Sequence, residues 1–111
     1  MPLAMNSSVD GKTGRLHLAG ELDGNSAPAV REEVDRMMNQ KLDRLVLAVE
    51  DLNFMASAGL RIIIFAKQRN PGLKIYVVKP QPTVVETLKK TGFYDAVYIQ
   101  QTEPGTEASA S

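Results

Sequence analysis

"DLNFMASAGLRIII" (residues 51–64) ends in an apolar run that a strand and a helix could both claim. "LRIIIFAKQ", residues 60–68, is rich in β-branched side chains, which taken alone favours a strand. Its length and the ending Ala66-Lys67-Gln68-Arg69 favour a helix, predicted over residues 58–69. The neighbouring segments support the helix. A strand lies on each side, and two parallel strands in one sheet are usually joined by a helical crossover.

Upstream, "RLVLAVE" (residues 44–50) has apolar side chains on both faces, the pattern of a strand buried on both sides. Before it, residues 27–40 place Val30, Val34, Met37 and Met38 at helical spacing, with Glu32 and Arg36 as an i,i+4 pair outside. Ser26 is the candidate N-cap of that helix, with Pro28 in its first turn, and "ELDGNSAP" (residues 21–28) reads as a polar loop. The N-terminus reads as two short strands, residues 3–9 and 15–20, joined by the turn "DGKTG", with Leu16 and Leu18 on one face. Downstream, "LKIYVV" (residues 73–78) is a strand, and Pro80 and Pro82 lead into a short helix. That helix carries Val84, Val85 and Leu88 as its apolar stripe and stops at Gly92. "AVYI" (residues 96–99) is a last short strand, and residues 101–111, "QTEPGTEASAS", lack apolar periodicity and predict a disordered tail. Residues 1–100 are therefore expected to form one α/β domain with a mainly parallel sheet.

The 111 residues suit one modest core. Lys plus Arg and Asp plus Glu number 13 each, so no global field would hold nucleic acid or an anionic membrane. With no cysteine, disulfides, thiolate catalysis and thiolate metal sites are excluded, and a reducing cytoplasm is the expected setting. No segment has the length or apolarity of a membrane span, and no signal peptide is visible.

Ser57 is the residue around which chemistry is expected. At a helix N-terminus its hydroxyl would accept a free backbone N–H and act as a cap. A phosphate on the same oxygen would meet free N–H groups at the positive end of the helix. A hydrolase nucleophile is disfavoured, because the first glycine position of G-x-S-x-G holds Met55 and the single histidine, His17, sits on a strand. "GKTG" is too short to cradle a phosphate, and Asp23, Glu50 and Asp51 have no metal-ligand spacing. Neither a metal nor a cofactor is expected. Arg61, early in the helix, runs against the preference of cations for the C-terminal end and lies four residues after Ser57, within reach of a phosphate there.

"GELD" (residues 20–23), "LVLAVEDLNFMASAGL" (residues 45–60) and "LKIYVVKPQPTVVETLKKTGFYDAVYI" (residues 73–99) together resemble a STAS domain. More narrowly, they resemble the bacterial anti-sigma factor antagonists. The resemblance implies a sheet of four to five strands, mixed and mainly parallel, with helices mainly on one face. It also implies a regulatory binding protein rather than an enzyme. In that family the unphosphorylated antagonist binds an anti-sigma factor that is also a serine kinase, and the sigma factor is released. The kinase uses its own bound ATP to phosphorylate a serine at the start of the second helix, the complex dissociates, and a serine phosphatase resets the switch. That serine falls on Ser57. The implied partner surface comprises Asp23, Asn25, Ser26, Met55, Ala56, Ala58, Gly59 and Arg61. Two positions depart from the pattern: Ala56 stands where the family usually has aspartate, and Arg61 where it often has glycine. We expect Ser57 still to switch, with a partner adapted to a less acidic site. The alternative expectation is a constitutive interaction or scaffold domain in which Ser57 only caps the helix.

Overall fold

The computed structural model describes residues 3–101. Strands β1 (Ala4–Asp10) and β2 (Thr13–Leu22) form an antiparallel hairpin, with Asp10 opposite Thr13 across the turn. Helix α1 (Ala27–Met38), strand β3 (Arg44–Met55), helix α2 (Ser57–Arg69) and strand β4 (Lys74–Val78) follow. Helix α3 (Pro82–Lys90), a 3-10 turn (Tyr94–Ala96) and strand β5 (Tyr98–Gln100) complete the chain. The strand order is β1-β2-β3-β4-β5, and every pair after the first is parallel. Each parallel connection steps one strand in the same direction. Right-handed crossovers then put every helix on the same face. The expected mixed, mainly parallel sheet of four to five strands, with helices mainly on one face, forms with five strands.

Alternation decides which side chains meet those helices. Leu16, Leu18 and Leu22 of β2, Leu45, Leu47 and Val49 of β3, and Ile75 and Val77 of β4 point to the helical side. They pack against Val30, Val34 and Met37 of α1, Leu60, Ile63 and Ala66 of α2, and Val84 and Leu88 of α3. The opposite face carries a small cluster, Val46, Tyr76 and Val78, with Tyr98 stacked on Tyr76 at 5.0 Å between ring centres. Residues 60–68 are helical because burying Leu60, Ile62 and Ile63 contributes about 1.5–3 kcal/mol per side chain, against under about 0.7 kcal/mol lost to poor helix propensity.

The structure corrects several local expectations. Glu21 and Leu22 belong to β2 rather than to the loop, and β3 continues past Glu50 to Met55. Two register shifts against β2, between His17 and Ala19 and between Gly20 and Glu21, break the alternation that would have revealed this extension. Helix α1 ends at Met38, and its ion pair joins Arg36 to Glu33 rather than to Glu32. On α3 only Val84 and Leu88 are fully buried, and Val85 is half-buried. Gly92, at φ +81°, ends that helix as expected, in a conformation that costs glycine little. The last strand is shifted to Tyr98–Gln100, because Tyr94–Ala96 coil into the 3-10 turn. The expected tail, from Thr102 onward, lies outside the described residues.

Candidate functional site

β2 and β3 end together. Their last register pair is Leu22 with Met55, and the Ala56 N–H donates to the Leu22 carbonyl at 2.8 Å. The loop after β2 and the start of α2 therefore lie side by side at the C-terminal edge of the sheet, where open α/β sheets place their sites. β4 stops at Val78, opposite Ala48, so the far part of β3 has no strand neighbour on that side. Side chains at the start of α3 take the strand's place. Gln81 Nε2 donates to the Glu50 carbonyl at 2.8 Å, and Thr83 Oγ1 donates to the Asn53 carbonyl at 2.8 Å. The β3 extension is thereby fixed on both edges, which sets the position of Ser57.

Ser57 is the first residue of α2 and is exposed. The N-cap is the preceding residue, Ala56, in extended conformation at φ −83° and ψ 169°, with no side-chain bond to the helix. The expected cap by Ser57 is therefore not made: the residue sits inside the first turn, and a cap must precede it. Among the described residues the Ser57 hydroxyl has no hydrogen-bond partner. The Gly59 N–H reaches the Ala56 carbonyl at 2.9 Å, while no side chain caps the N-terminal N–H groups of this helix. The result is a free hydroxyl at the positive end of a helix.

Gly59 explains how the helix comes so close. A Cβ at this position would lie 2.8 Å from Leu22 Cδ2 and 3.0 Å from Met55 Cγ. Gly59 and Met55 are both buried, so within the expected partner surface they support the site from beneath. Ala56 and Ala58 are half-buried.

The neighbouring loop is held by its own polar groups. Asp23 Oδ1 accepts the N–H of Asn25 at 2.9 Å and that of Ser26 at 3.1 Å. Ser26 Oγ accepts the Asp23 N–H at 3.0 Å and donates to the Glu21 carbonyl at 2.9 Å. Ser26 is the N-cap residue of α1, as expected, but its backbone is already helical and its hydroxyl makes no bond to the helix, facing back into the loop instead. The backbone N–H groups of Ser26 and Asn25 hold the Asp23 carboxyl below its ordinary value. Asn25 is exposed, and Asp23 and Ser26 are half-buried.

Arg61, Ile64 and Gln68 follow Ser57 along one exposed stripe of α2 at helical spacing. Ile64 is 38% exposed, and Phe54, three residues before Ser57, is 46% exposed. Neither belongs to the predicted site. Their only sequence signal is proximity, since exposure depends on what packs around them. The other acids lie elsewhere: Asp51 contacts His17 on the sheet face at 3.1 Å, and Glu50 contacts Lys79 at 3.8 Å. His17 is partly exposed there, as expected. Among the described residues no group of three or more His, Asp or Glu side chains is placed to hold a metal ion, and no helix is long and apolar enough to cross a membrane.

Comparison with known proteins agrees with this architecture. The chain is 27% identical over 107 residues to the anti-sigma-B factor antagonist of Bacillus subtilis, covering 91% of this chain and 97% of that one. Its fold matches the anti-sigma factor antagonist SpoIIAA in its unphosphorylated form at a TM-score of 0.80, with 19% identity and 96% of each chain covered. It also matches the Bacillus cell fate determinant SpoIIAA in the phosphorylated form at a TM-score of 0.72, with 19% identity, over 97% of this chain and 100% of that one. The sequence pattern that defines the STAS domain matches residues 5–105, and the chain belongs to the STAS domain family.

Proposed function

We propose that this chain is an anti-sigma factor antagonist whose binding is switched at Ser57. The unmodified protein docks on an anti-sigma factor that is also a serine kinase, and the sigma factor is released. The kinase transfers the γ-phosphoryl group of its own ATP to Ser57. The Oγ–P bond forms as the bond to the bridging oxygen of ADP breaks, and the hydroxyl proton leaves. A serine phosphatase restores the hydroxyl. The chain itself acts as a binding protein, and the exchange takes place in the cytoplasm, where ATP is available.

The observation that carries this reading is the free, exposed hydroxyl of Ser57 at an uncapped helix start in a chain of this family. A phosphate there adds about −1.5 to −2 charges beside free N–H groups, so the fold tolerates it. A docked partner surface does not, because it would have to bury that charge. Incubation with the cognate kinase and ATP, followed by mass spectrometry, is expected to place one phosphate on Ser57 and none on a Ser57→Ala variant. Recovery of only unmodified Ser57 would reject the switch.

The second reading, a constitutive interaction domain, is favoured by one observation, Ala56 in place of the family's aspartate. Ser57→Asp separates the two. The switch predicts lost partner binding with the fold retained, and the constitutive domain predicts unchanged binding.

A further inference from the structure

We infer that Arg61 anchors the partner by pairing with a carboxylate on its docking surface, and that phosphorylation releases the partner by reversing the charge Arg61 contributes. The inference rests on the switch reading above and adds the chemistry of the surface the partner must present.

Five of the six arginines are engaged among the described residues. Arg36 pairs with Glu33, Arg69 with Asp35, Arg31 lies 4.7 Å over Phe65, Arg44 lies 6.0 Å over Tyr76, and Arg15 also has a partner. Arg61 has no hydrogen bond, ion pair or ring contact among those residues. It projects from the N-terminal half of α2, where a cation gains nothing from the helix macrodipole. Nothing within the described chain accounts for it. Arginine is also the side chain best suited to hold a carboxylate in a fixed, bidentate geometry across an interface.

The surroundings define the complementary surface. Arg61 lies one turn from Ser57, with exposed Ile64 beyond it and exposed Phe54 on the strand before the serine. Among the described residues no acid pairs with it: the ionised Asp23 carboxyl of the adjoining loop is held by that loop's own N–H groups, and position 56 is alanine. The stripe of α2 beyond Ser57 therefore presents one unpaired positive charge next to exposed apolar side chains. Its complement is a carboxylate set among apolar side chains. Phosphorylation adds about −1.5 to −2 charges one turn away, which outweighs the single positive charge of Arg61. The phosphate can also claim the guanidinium itself. A partner carboxylate that was attracted is then repelled, and its counter-ion is gone.

The test uses the full chain and the anti-sigma factor captured with it from its own cell, purified and identified by mass spectrometry. Dissociation constants are compared for wild type, Arg61→Lys, Arg61→Glu and Ser57→Asp at about 0.05 M and about 0.5 M salt. Arg61→Glu is expected to bind on the order of tenfold more weakly at low salt, with the difference shrinking at high salt. Arg61→Lys should bind between wild type and Arg61→Glu, because the charge is kept but the bidentate fork is lost. Arg61→Glu binding like wild type while Ser57→Asp does not bind would overturn the role of Arg61 and leave the switch standing. Arg61→Lys as weak as Arg61→Glu would also overturn it. Ser57→Asp binding like wild type rejects the switch, and this inference with it.

Discussion

Ala56 occupies the N-cap position of α2 with a side chain that can accept nothing, while Ser57, one residue later, is too far into the turn to cap. The two positions therefore respond differently to substitution. Ala56→Asp is expected to stabilise the fold by about 0.5–2 kcal/mol, because it supplies a missing acceptor and a negative charge at the positive helix end. Ser57→Ala should change stability by less than about 0.5 kcal/mol, since no bond is lost. Urea unfolding of both variants checks the pair of predictions, and a large loss in Ser57→Ala would restore a capping role. Asp23 offers a pH test. Its carboxyl lies below the ordinary 3.8, held there by the backbone N–H groups of Ser26 and Asn25. A folded-state value lower than the unfolded one contributes stability that is complete above the unfolded value and is lost as pH falls through the depressed one. Asp23→Asn should therefore lower stability near neutrality and flatten the acid limb below about pH 4, so that the two curves converge in acid, as measured by urea midpoints at successive pH values.

At the scale of elements, the site depends on how α2 is seated over the ends of β2 and β3. The helix start approaches Leu22 and Met55 so closely that only hydrogen fits at Gly59. Gly59→Val should cost about 1–3 kcal/mol by overpacking, despite removing a glycine from a helix. Because the strain falls on Leu22, the variant should also weaken the Ala56-to-Leu22 backbone bond, read as faster hydrogen exchange at Ala56. A variant as stable as wild type, with Ala56 equally protected, would show that the contact yields easily. The far end of β3 has a comparable dependence on α3, whose Gln81 and Thr83 side chains satisfy carbonyls that β4 does not reach. Neither relation appears in the sequence of the element concerned. A glycine in a helix looks like a defect until the strand beneath it is known, and residues 51–55 show no strand pattern until their neighbours pair with them.

For the whole molecule, a sheet whose helices all lie on one face leaves α2 with one buried and one exposed side, and Ser57 is on the exposed one. A charge added there should not propagate into the core. Phosphorylated or Ser57→Asp protein is expected to keep the amide shifts of the central strands, with changes confined to residues near 22–26 and 54–61 in a heteronuclear NMR spectrum. Shifts spreading through β4 and β5 would indicate a global rearrangement instead. The alternating leucines of β2, the two-sided apolar run of β3 and the valines and methionines of α1 already determined an α/β chain with strands and helices in this order. The order of elements also resolved residues 60–68 as a helix, against their β-branched composition, and the motif around Ser57 marked the position to examine. These features could be read in the sequence because burial on one or two faces leaves a periodic trace along the chain. What only the tertiary structure decided are matters between segments. Ala56 rather than Ser57 holds the cap position, Asp23 is engaged by its own loop, and among the described residues Phe54 and Ile64 are uncovered and Arg61 has no partner. Each depends on what lies across a gap from another part of the chain, and such proximity leaves no periodic mark in the sequence.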